Sequence, residues 1–516
     1  MNRKEFLHQL SILSGGVAFG MGGTSVKAFA HNPFALDMAD TNGKILVLVQ
    51  LAGGNDGLNT VIPYENPLYY NKRANIAIKK EDALVLNSQM GLNPGMAAFK
   101  ELYDKGKLTV VQNVGYANPN RSHFRSTDIW LTGSDAADVW DEGWVGRYLT
   151  KLYPGFPLQI PQDPMAIQLG SVESLLIQTD LGSTGVVFSN PTNFYNLVTG
   201  TTIDNEPVPD TLAGEELRFM RQIATQSVAY SGIIKQKWDK SAKNLYTYPT
   251  TSLASQLKIV GELIGGGLQT PVYLTTIGGF DTHANQVVAN ATNTGTHATL
   301  LRTVADAVTA FQKDLEKRGL ADKVVVMTFS EFGRRVSQNG TMGTDHGSAA
   351  PLFVIGSGVR GGILGRNPVL SDLDGNGDIK FEYDFRQVYS SILQDHLGVE
   401  SSTIQSIMGG KTFSTLPIFR QSTSAYIATS QEFTFEQSGA NPFTTYTTIV
   451  YSLKKSMYVR ISLFDMMGRE VGTIKEGTMP AGVYSEVIEG SYWMPGPYFC
   501  AMKCDAGQKV IRISKA

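Results

Sequence analysis

The sequence predicts an α/β protein, with a doubly wound, mostly parallel sheet in an α/β/α sandwich over 40–418 and a small β-sandwich over 441–516. Three observations predict it. The runs "KILVLVQL" (44–51), "LTVVQNV" (108–114), "PVYLTTIG" (271–278), "KVVVMTF" (323–329) and "PLFVIG" (351–356) are continuously apolar, as strands covered on both faces are. Helical periodicity fills the gaps between them, giving the strand and helix alternation of a layered fold. After about residue 419 the helical periods stop, and only short strands separated by turn residues follow.

In chain order, the first element is an export signal over 1–30. Arg3 and Lys4 precede a weakly apolar, Gly-rich stretch, and Ala28-Phe29-Ala30 supplies a small-x-small cleavage site, so the mature chain is expected to begin near His31. Arg3 to Leu7 is similar to a twin-arginine motif with Lys in the second basic position, which leaves the Tat and Sec routes both open. The apolar core of ~13–17 residues is short for a span of ~20, and no later stretch offers ~18 continuous apolar residues, so no transmembrane segment is expected in the mature chain. The helical stretches are "AGEELRFMRQIATQSVAYSGIIKQKW" (213–238), "HATLLRTVADAVTAFQKDLEKRG" (297–319) and "DFRQVYSSILQDHLG" (384–398).

Residues 419–440, rich in Ser, Thr, Gln and Asn, read as a linker. Beyond it Val459, Ile461 and Leu463 alternate with Tyr458, Arg460 and Ser462, as in a sheet with one face buried. The run "NPFTTYTTIVYSLKKSMYVRISLFDMMGREVGTI" with "GPYFCAMKC" resembles the C-terminal sorting domain of the type IX secretion system. That resemblance implies passage through the periplasm, recognition by secretion machinery, and delivery to the cell surface or medium. The alternative is an ordinary carbohydrate-binding or fibronectin-like module.

Net charge is −2, from 44 basic and 46 acidic residues with no long run of either sign, which argues against nucleic acid as a partner. A small or neutral partner is favoured. The two cysteines, Cys500 and Cys504, exclude a disulfide scaffold and a Cys-rich zinc module. On one strand they lie about 13 Å apart at ~3.3 Å per residue, too far to bond.

The chemistry-bearing residues cluster next to the strands. Of seven histidines, His8 and His31 belong to the export region, and His297 and His396 fall on helices, where a structural role is expected. His123, His283 and His346 each follow a strand, among glycines and acids. "LAGGNDGLNT" places Asp56 at the end of the first strand, although Asn-Asp-Gly is also a common turn. "IGGFDTHANQ" sets Asp281 and His283 two apart, on one side of an extended segment, where both can hold one ion. "TFSEFGRR" places Glu331 at the sheet edge with Arg334 and Arg335 behind it, and "GTDHGSAAP" pairs Asp345 with His346. Imidazole with carboxylate favours Zn, Mn or Fe over Ca or Mg. The metal set is therefore Asp56, Asp281, His283, Glu331, Asp345 and His346, with Asp345 more an orienting neighbour than a direct ligand. In "NPNRSHFRSTDIWLTG", Ser122 opens a helix and can present its hydroxyl at the positive end, or simply cap it.

Taken together, "GGNDGLNT", "RSHFRSTDIWLTG", "GGFDTHANQ", "SEFGRR" and "GTDHGSAAP" resemble the family known as domain of unknown function 1501, similar in turn to the alkaline phosphatase and sulfatase superfamily. The resemblance implies an alkaline phosphatase-like fold with a divalent metal at the strand ends. By position, Asp56 matches the first-strand metal aspartate, Ser122 falls near the nucleophile, Asp281 and His283 match a second ligand group, and His346 matches a late histidine. Two departures stand out. Glu331-Phe332 replaces the Asp-His of phosphatases and the Asn-bearing pair of sulfatases, and no Cys-x-Pro-x-Arg or Ser-x-Pro-x-Arg lies near 122, which argues against formylglycine chemistry.

"SDLDGNGDIKFEYD" resembles a calcium loop through Asp372, Asp374, Asn376 and Asp378, with Tyr383 where position twelve normally has Glu. The function expected is an exported metal-dependent hydrolase of phosphate or sulfate esters acting on a small-molecule or glycan ester. Ser122, His123 and Arg334 are its catalytic candidates. The alternative is a non-catalytic cell-surface binding protein that keeps the fold.

Overall fold

The structure, a computed structural model, describes residues 43–157, 160–200, 211–420, 432–438, 441–465 and 470–516. The export signal, most of the 419–440 linker and the Met467-Gly468 turn lie outside these residues. The chain divides into two compact units, one holding most of 43–420 and the other the residues from 421 onward together with Leu149–Pro161.

The first unit is built on a nine-stranded sheet. Its strands are β1 (Ile45–Leu51), β2 (Leu108–Gly115), β3 (Ala166–Leu169), β4 (Gly185–Phe188), β5 (Val272–Ile277), β6 (Val324–Phe329), β7 (Ala350–Ile355), β8 (Gly362–Leu364) and β9 (Tyr383–Asp384). They run in the order β8-β2-β7-β6-β1-β5-β3-β4, with β9 added beside β2. β1 lies parallel between β5 and β6, pairing Leu46 with Val272 on one side and with Val325 on the other. Its apolar run is buried because both neighbours and both faces are covered. β7 alone runs against its neighbours β6 and β2.

The helices that matter for the site are α1 (His123–Thr132), α2 (Leu212–Lys240), α3 (Ser252–Gly265), α4 (Thr296–Lys317) and α5 (Phe385–Ser391). α4 buries Leu301, Val304, Ala305, Val308, Phe311 and Leu315, a stripe at the 3.6-residue period that faces the core. The connections β1 to β2 and β5 to β6 carry the chain one way along the sheet, and β2 to β3 carries it back. Right-handed crossovers place connections of opposite travel on opposite faces, so α1 and α4 cover different sides and the sheet is doubly wound. The fold class expected from sequence is the one found. The additions are β3, β4, β8, β9 and α3. The strands among them are two to four residues each, too short to register as apolar runs.

The second unit is antiparallel. β10 (Phe433–Gln437), β11 (Tyr446–Leu453) and β14 (Gly482–Glu489) form one sheet, and β13 (Glu470–Met479), β12 (Met457–Phe464), β15 (Gly496–Cys504) and β16 (Gly507–Lys515) form the other. Ile449, Tyr451 and Leu453 of the first sheet share a core with Val459, Ile461, Leu463, Cys500 and Met502 of the second, the alternation expected for strands with one buried face. Both cysteines are free and buried. Burial pushes the Cys500 thiol up to about 12.

Candidate metal centre

The carboxyl ends of β5, β1 and β6 lie side by side, and the loops leaving them carry Asp281 and His283, Gly53 and Gly54, and Glu331 and Arg334. β2 ends at the same edge and leads to Ser122 and His123. His346 arrives differently from the expectation. It precedes β7 rather than following a strand, and reaches this edge because β7 is antiparallel. Gly53 is needed here: its φ is +124°, and a Cβ would fall 2.3 Å from the Asp281 nitrogen, so only glycine lets the β1 loop lie against the aspartate.

Three imidazoles converge on one carboxylate oxygen. Asp281 Oδ1 lies 3.1 Å from His283 Nε2, 3.3 Å from His346 Nε2 and 3.5 Å from His123 Nε2. His283 Nε2 is 2.8 Å from His346 Nε2. Among the described residues, His123, Asp281 and His346 form a group whose ligand atoms all lie within 4.8 Å of one another. His283 joins through Asp281 and His346.

The other ring nitrogens explain why these atoms face inward. His123 Nδ1 is 2.8 Å from Glu331 Oε1, His283 Nδ1 is 3.2 Å from Asp345 Oδ1, and His346 Nδ1 is 2.8 Å from the Arg121 carbonyl. A carboxylate or a carbonyl accepts and cannot donate, so each Nδ1 carries a proton, and a ring with no second proton turns a bare Nε2 lone pair toward Asp281. Four acceptor atoms facing one another repel unless a cation lies between them. Protonation is opposed at His346, where burial first, and the Arg334 charge after it, hold the imidazole below its ordinary value despite the bond to the Arg121 carbonyl. The chemistry of the donor set suits a divalent ion. Ligands ~2.0–2.1 Å from a tetrahedral ion are about 3.3–3.4 Å apart; the separations to Asp281 bracket that spacing, whereas the 2.8 Å between His283 Nε2 and His346 Nε2 is too short for both to bind one ion as they stand. Phe332, noted in the sequence only as a departure from the phosphatase and sulfatase pairs, packs against the His123 and His346 rings, with centroids 4.9 and 4.7 Å away, and forms an apolar wall.

Glu331, expected as a ligand, stands one layer back. Its Oε1 accepts the Gly53 N–H and the His123 Nδ1–H, each at 2.8 Å. Asp345 also orients rather than faces the cluster. Its Oδ1 takes His283 Nδ1–H and the Asn339 amide at 3.1 Å, and the Asn339 bond first, then His283, holds its carboxyl below the usual range.

Two expectations change more. Asp56 is fully buried and committed elsewhere: Arg73 Nη1 and Nη2 hold its two oxygens at 2.6 and 2.9 Å, and Gln286 donates at 2.5 Å. Burial pushes this carboxyl up, but Arg73 first, with His297 and Gln286 after it, makes the net shift downward. All five Arg73 N–H groups are satisfied, the remainder by Asn59 and the Arg335 and Val336 carbonyls. Arg334, expected to meet a substrate, is also buried. It donates to the carbonyls of Gly53, Gly54, Phe280 and Thr344 and, at 2.6 Å, to Asp281 Oδ1. It therefore clasps the loops and fixes Asp281. Burial acts to raise the Asp281 carboxyl, and Arg334 together with His346 and His283 brings the net shift downward.

Ser122 is the N-cap of α1, yet its hydroxyl makes no capping bond and the residue is exposed. Its N–H donates to Asn120 Oδ1 at 2.8 Å. The calcium-like loop is a hairpin whose acids are taken by other groups. Asp374 Oδ1 accepts the N–H groups of Asn376 and Asp378, Asp378 is bonded by Arg121, and Asp372 by Lys380 at 2.5 Å. The calcium expectation does not hold in this geometry, since Asp378 and Asp372 pair with Arg121 and Lys380 and Asp374 is taken by backbone N–H groups. What the loop does is brace Arg121, whose carbonyl holds His346.

Residues 268–408, about a quarter of the chain, match the family described as "Protein of unknown function (DUF1501)". The match includes Asp281, His283, Glu331, Asp345 and His346. No curated protein matches the sequence. Solved structures similar to this chain include a protein in the alkaline phosphatase superfamily from Vibrio parahaemolyticus, at 9% identity and TM-score 0.35 over 89% of this chain and 85% of that one. A sulfatase from Pseudoalteromonas sp. matches at 13% identity and TM-score 0.31, over 88% and 85%. A protein of glycosaminoglycan metabolism in Bacteroides thetaiotaomicron matches at 9% and 0.34, over 87% and 90%. Scores of this size do not bear on activity. Among the described residues, no helix is long and apolar enough to cross a membrane.

Proposed function

We propose that this chain is an exported hydrolase of phosphate or sulfate esters that works with one divalent metal ion held by His123, Asp281 and His346, with His283 as the adjoining ligand. The observation that carries the reading is the set of Nδ1 bonds to Glu331, Asp345 and the Arg121 carbonyl, which commits three Nε2 atoms to one carboxylate oxygen. Zn, Mn or Fe suits that donor set. When bound, such an ion supplies positive charge to an ester's anionic oxygens and to a neighbouring hydroxyl or water. The chain's own residues do the rest. Ser122, the exposed N-cap residue of α1 next to His123, is the nucleophile of this reading. Arg334 and Glu331 hold Asp281 and His123 in place. Phe332 excludes water from one side of the imidazoles. The signal at 1–30 and the sorting-type sandwich at 441–516 belong to the same reading, in which secretion machinery carries the enzyme to the surface and its substrate is a small-molecule or glycan ester.

One observation favours the competing reading, a surface binding protein without turnover: Asp56 is locked to Arg73 and contributes nothing to the cluster. The purified full chain separates the two. Metal analysis and a screen of aryl phosphates and sulfates should find bound metal and an activity that Asp281→Ala abolishes. An absence of both refutes the hydrolase.

A further inference from the structure

We infer that Asn339 is the positioning residue of His283, the group that decides whether this imidazole joins the ion. This rests on the metal reading above and names what controls its fourth ligand. His283 is the most loosely placed of the three histidines, its side chain 44% exposed against 33% for His123 and 22% for His346. The His123 ring is turned by the buried Glu331 and the His346 ring by a main-chain carbonyl. The His283 ring is turned by Asp345, whose side chain is itself 52% exposed. An exposed carboxylate orients a ring only as firmly as it is itself held. His283 must also step back from His346 to share an ion with it, because their Nε2 atoms are 2.8 Å apart, and it must keep its aim while doing so. The pivot for that step is the bond from Nδ1 to Asp345.

Asn339 fixes both ends of the pivot. Its amide nitrogen has two hydrogens, one donated to the His283 carbonyl at 2.8 Å and the other to Asp345 Oδ1 at 3.1 Å. One planar group thereby sets the main chain of the ligand against the carboxylate that turns its ring. The amide oxygen accepts the N–H groups of Thr341 and Gly343, at 3.0 and 3.1 Å, and so closes a tight turn. That turn lies directly on His283. The Thr341 hydroxyl donates to the His283 carbonyl at 2.6 Å, and a Cβ on Gly343 would fall 2.3 Å from the carbon of that carbonyl. Between them Met342 is held at a φ of +58°, a left-handed conformation that a non-glycine residue keeps only where its surroundings impose it. Asparagine alone meets every demand here: aspartate closes the turn but cannot donate, and serine closes it but is too short to reach Asp345.

The test uses the full chain titrated with Co²⁺, whose visible absorption weakens when water replaces a protein ligand and the coordination number rises. Asn339→Ser should bind Co²⁺ about tenfold more weakly and absorb less, as His283→Ala does, and should change neither quantity further when added to His283→Ala. Asn339→Asp separates position from charge. An added carboxylate acting by charge alone would tighten binding, whereas one that cannot donate and repels Asp345 loosens it at least as much as serine does. Urea unfolding of the metal-free variants checks the fold, and the aspartate variant, which keeps the turn and the volume, gives the same comparison if the serine one does not fold. Wild-type affinity and absorption in both variants, or an undiminished further loss in the His283→Ala background, overturns the positioning role and leaves the metal and ester readings standing. A wild-type chain that takes up no Co²⁺ overturns the metal centre and the positioning role together.

Discussion

Replacing Glu331 separates the orientation of His123 from its ligand chemistry. The buried Oε1 accepts two bonds at 2.8 Å, one from the Gly53 N–H and one from His123 Nδ1. Glu331→Gln keeps an oxygen in place and removes the charge. A hydrogen bond to a charged acceptor contributes ~1.5–3 kcal/mol and a neutral one ~0.5–1.5, so roughly 1 kcal/mol of support for the imidazole is lost, or about fivefold in metal affinity. Glu331→Ala goes further. It leaves the Gly53 N–H unmet, at a cost of ~1–3 kcal/mol in stability, and frees the His123 ring to rotate, with an expected ~10–100-fold loss of metal affinity. Competition against a chromophoric chelator measures the affinity, and urea unfolding of the metal-free protein measures the stability. Wild-type metal affinity in both variants, or a larger loss in the Gln variant than in the Ala variant, would refute the orienting role.

Other consequences follow from the same geometry. Arg73→Met strands the buried Asp56 carboxylate and should cost ~3–5 kcal/mol, read from the denaturant midpoint; a change below ~1 kcal/mol means the pair is not what joins the Asp56 turn to the 335–336 loop. Ser122→Ala should cut ester hydrolysis by more than about 100-fold with metal affinity unchanged, and retention of most activity would transfer the attack to water. Burial lowers both His297 and His396 to about 4, against ~6.5 when unfolded. The unfolded chain therefore binds more protons between these values, so stability is full above pH ~6.5 and falls as pH drops toward 4, by up to ~3 kcal/mol for each group. Thermal melts across that range should show a shallower fall for His396→Gln, and parallel slopes would show that this histidine is not the source.

Much of this was legible in the sequence because burial on both faces writes itself as an unbroken apolar run, as in 44–51 and 323–329. The Asp281 and His283 pair was legible for a similar reason, since a spacing of two on extended chain puts both side chains on one side. The fate of Asp56 was not. Its partner Arg73 lies 17 residues on and its other donor, Gln286, 230 residues on, and nothing local marks either as a counter-group. Arg334 and Arg335 are indistinguishable in sequence, yet the first is buried as a clasp and the second is exposed, because alternation along an extended segment sends them to opposite sides. His123 was placed among the catalytic residues. Its membership in the metal cluster became visible only when Glu331, 208 residues away, was seen to fix its ring.

The central claim is the metal centre, and elemental analysis of the purified full chain beside its His346→Ala and Asp281→Ala variants tests it most directly. The geometry predicts about one divalent transition-metal ion per wild-type chain, and its loss from both variants under the same dialysis, with each variant still folded by circular dichroism. A wild-type chain that retains no ion from Zn, Mn or Fe solution, or variants that keep the full complement, would contradict it.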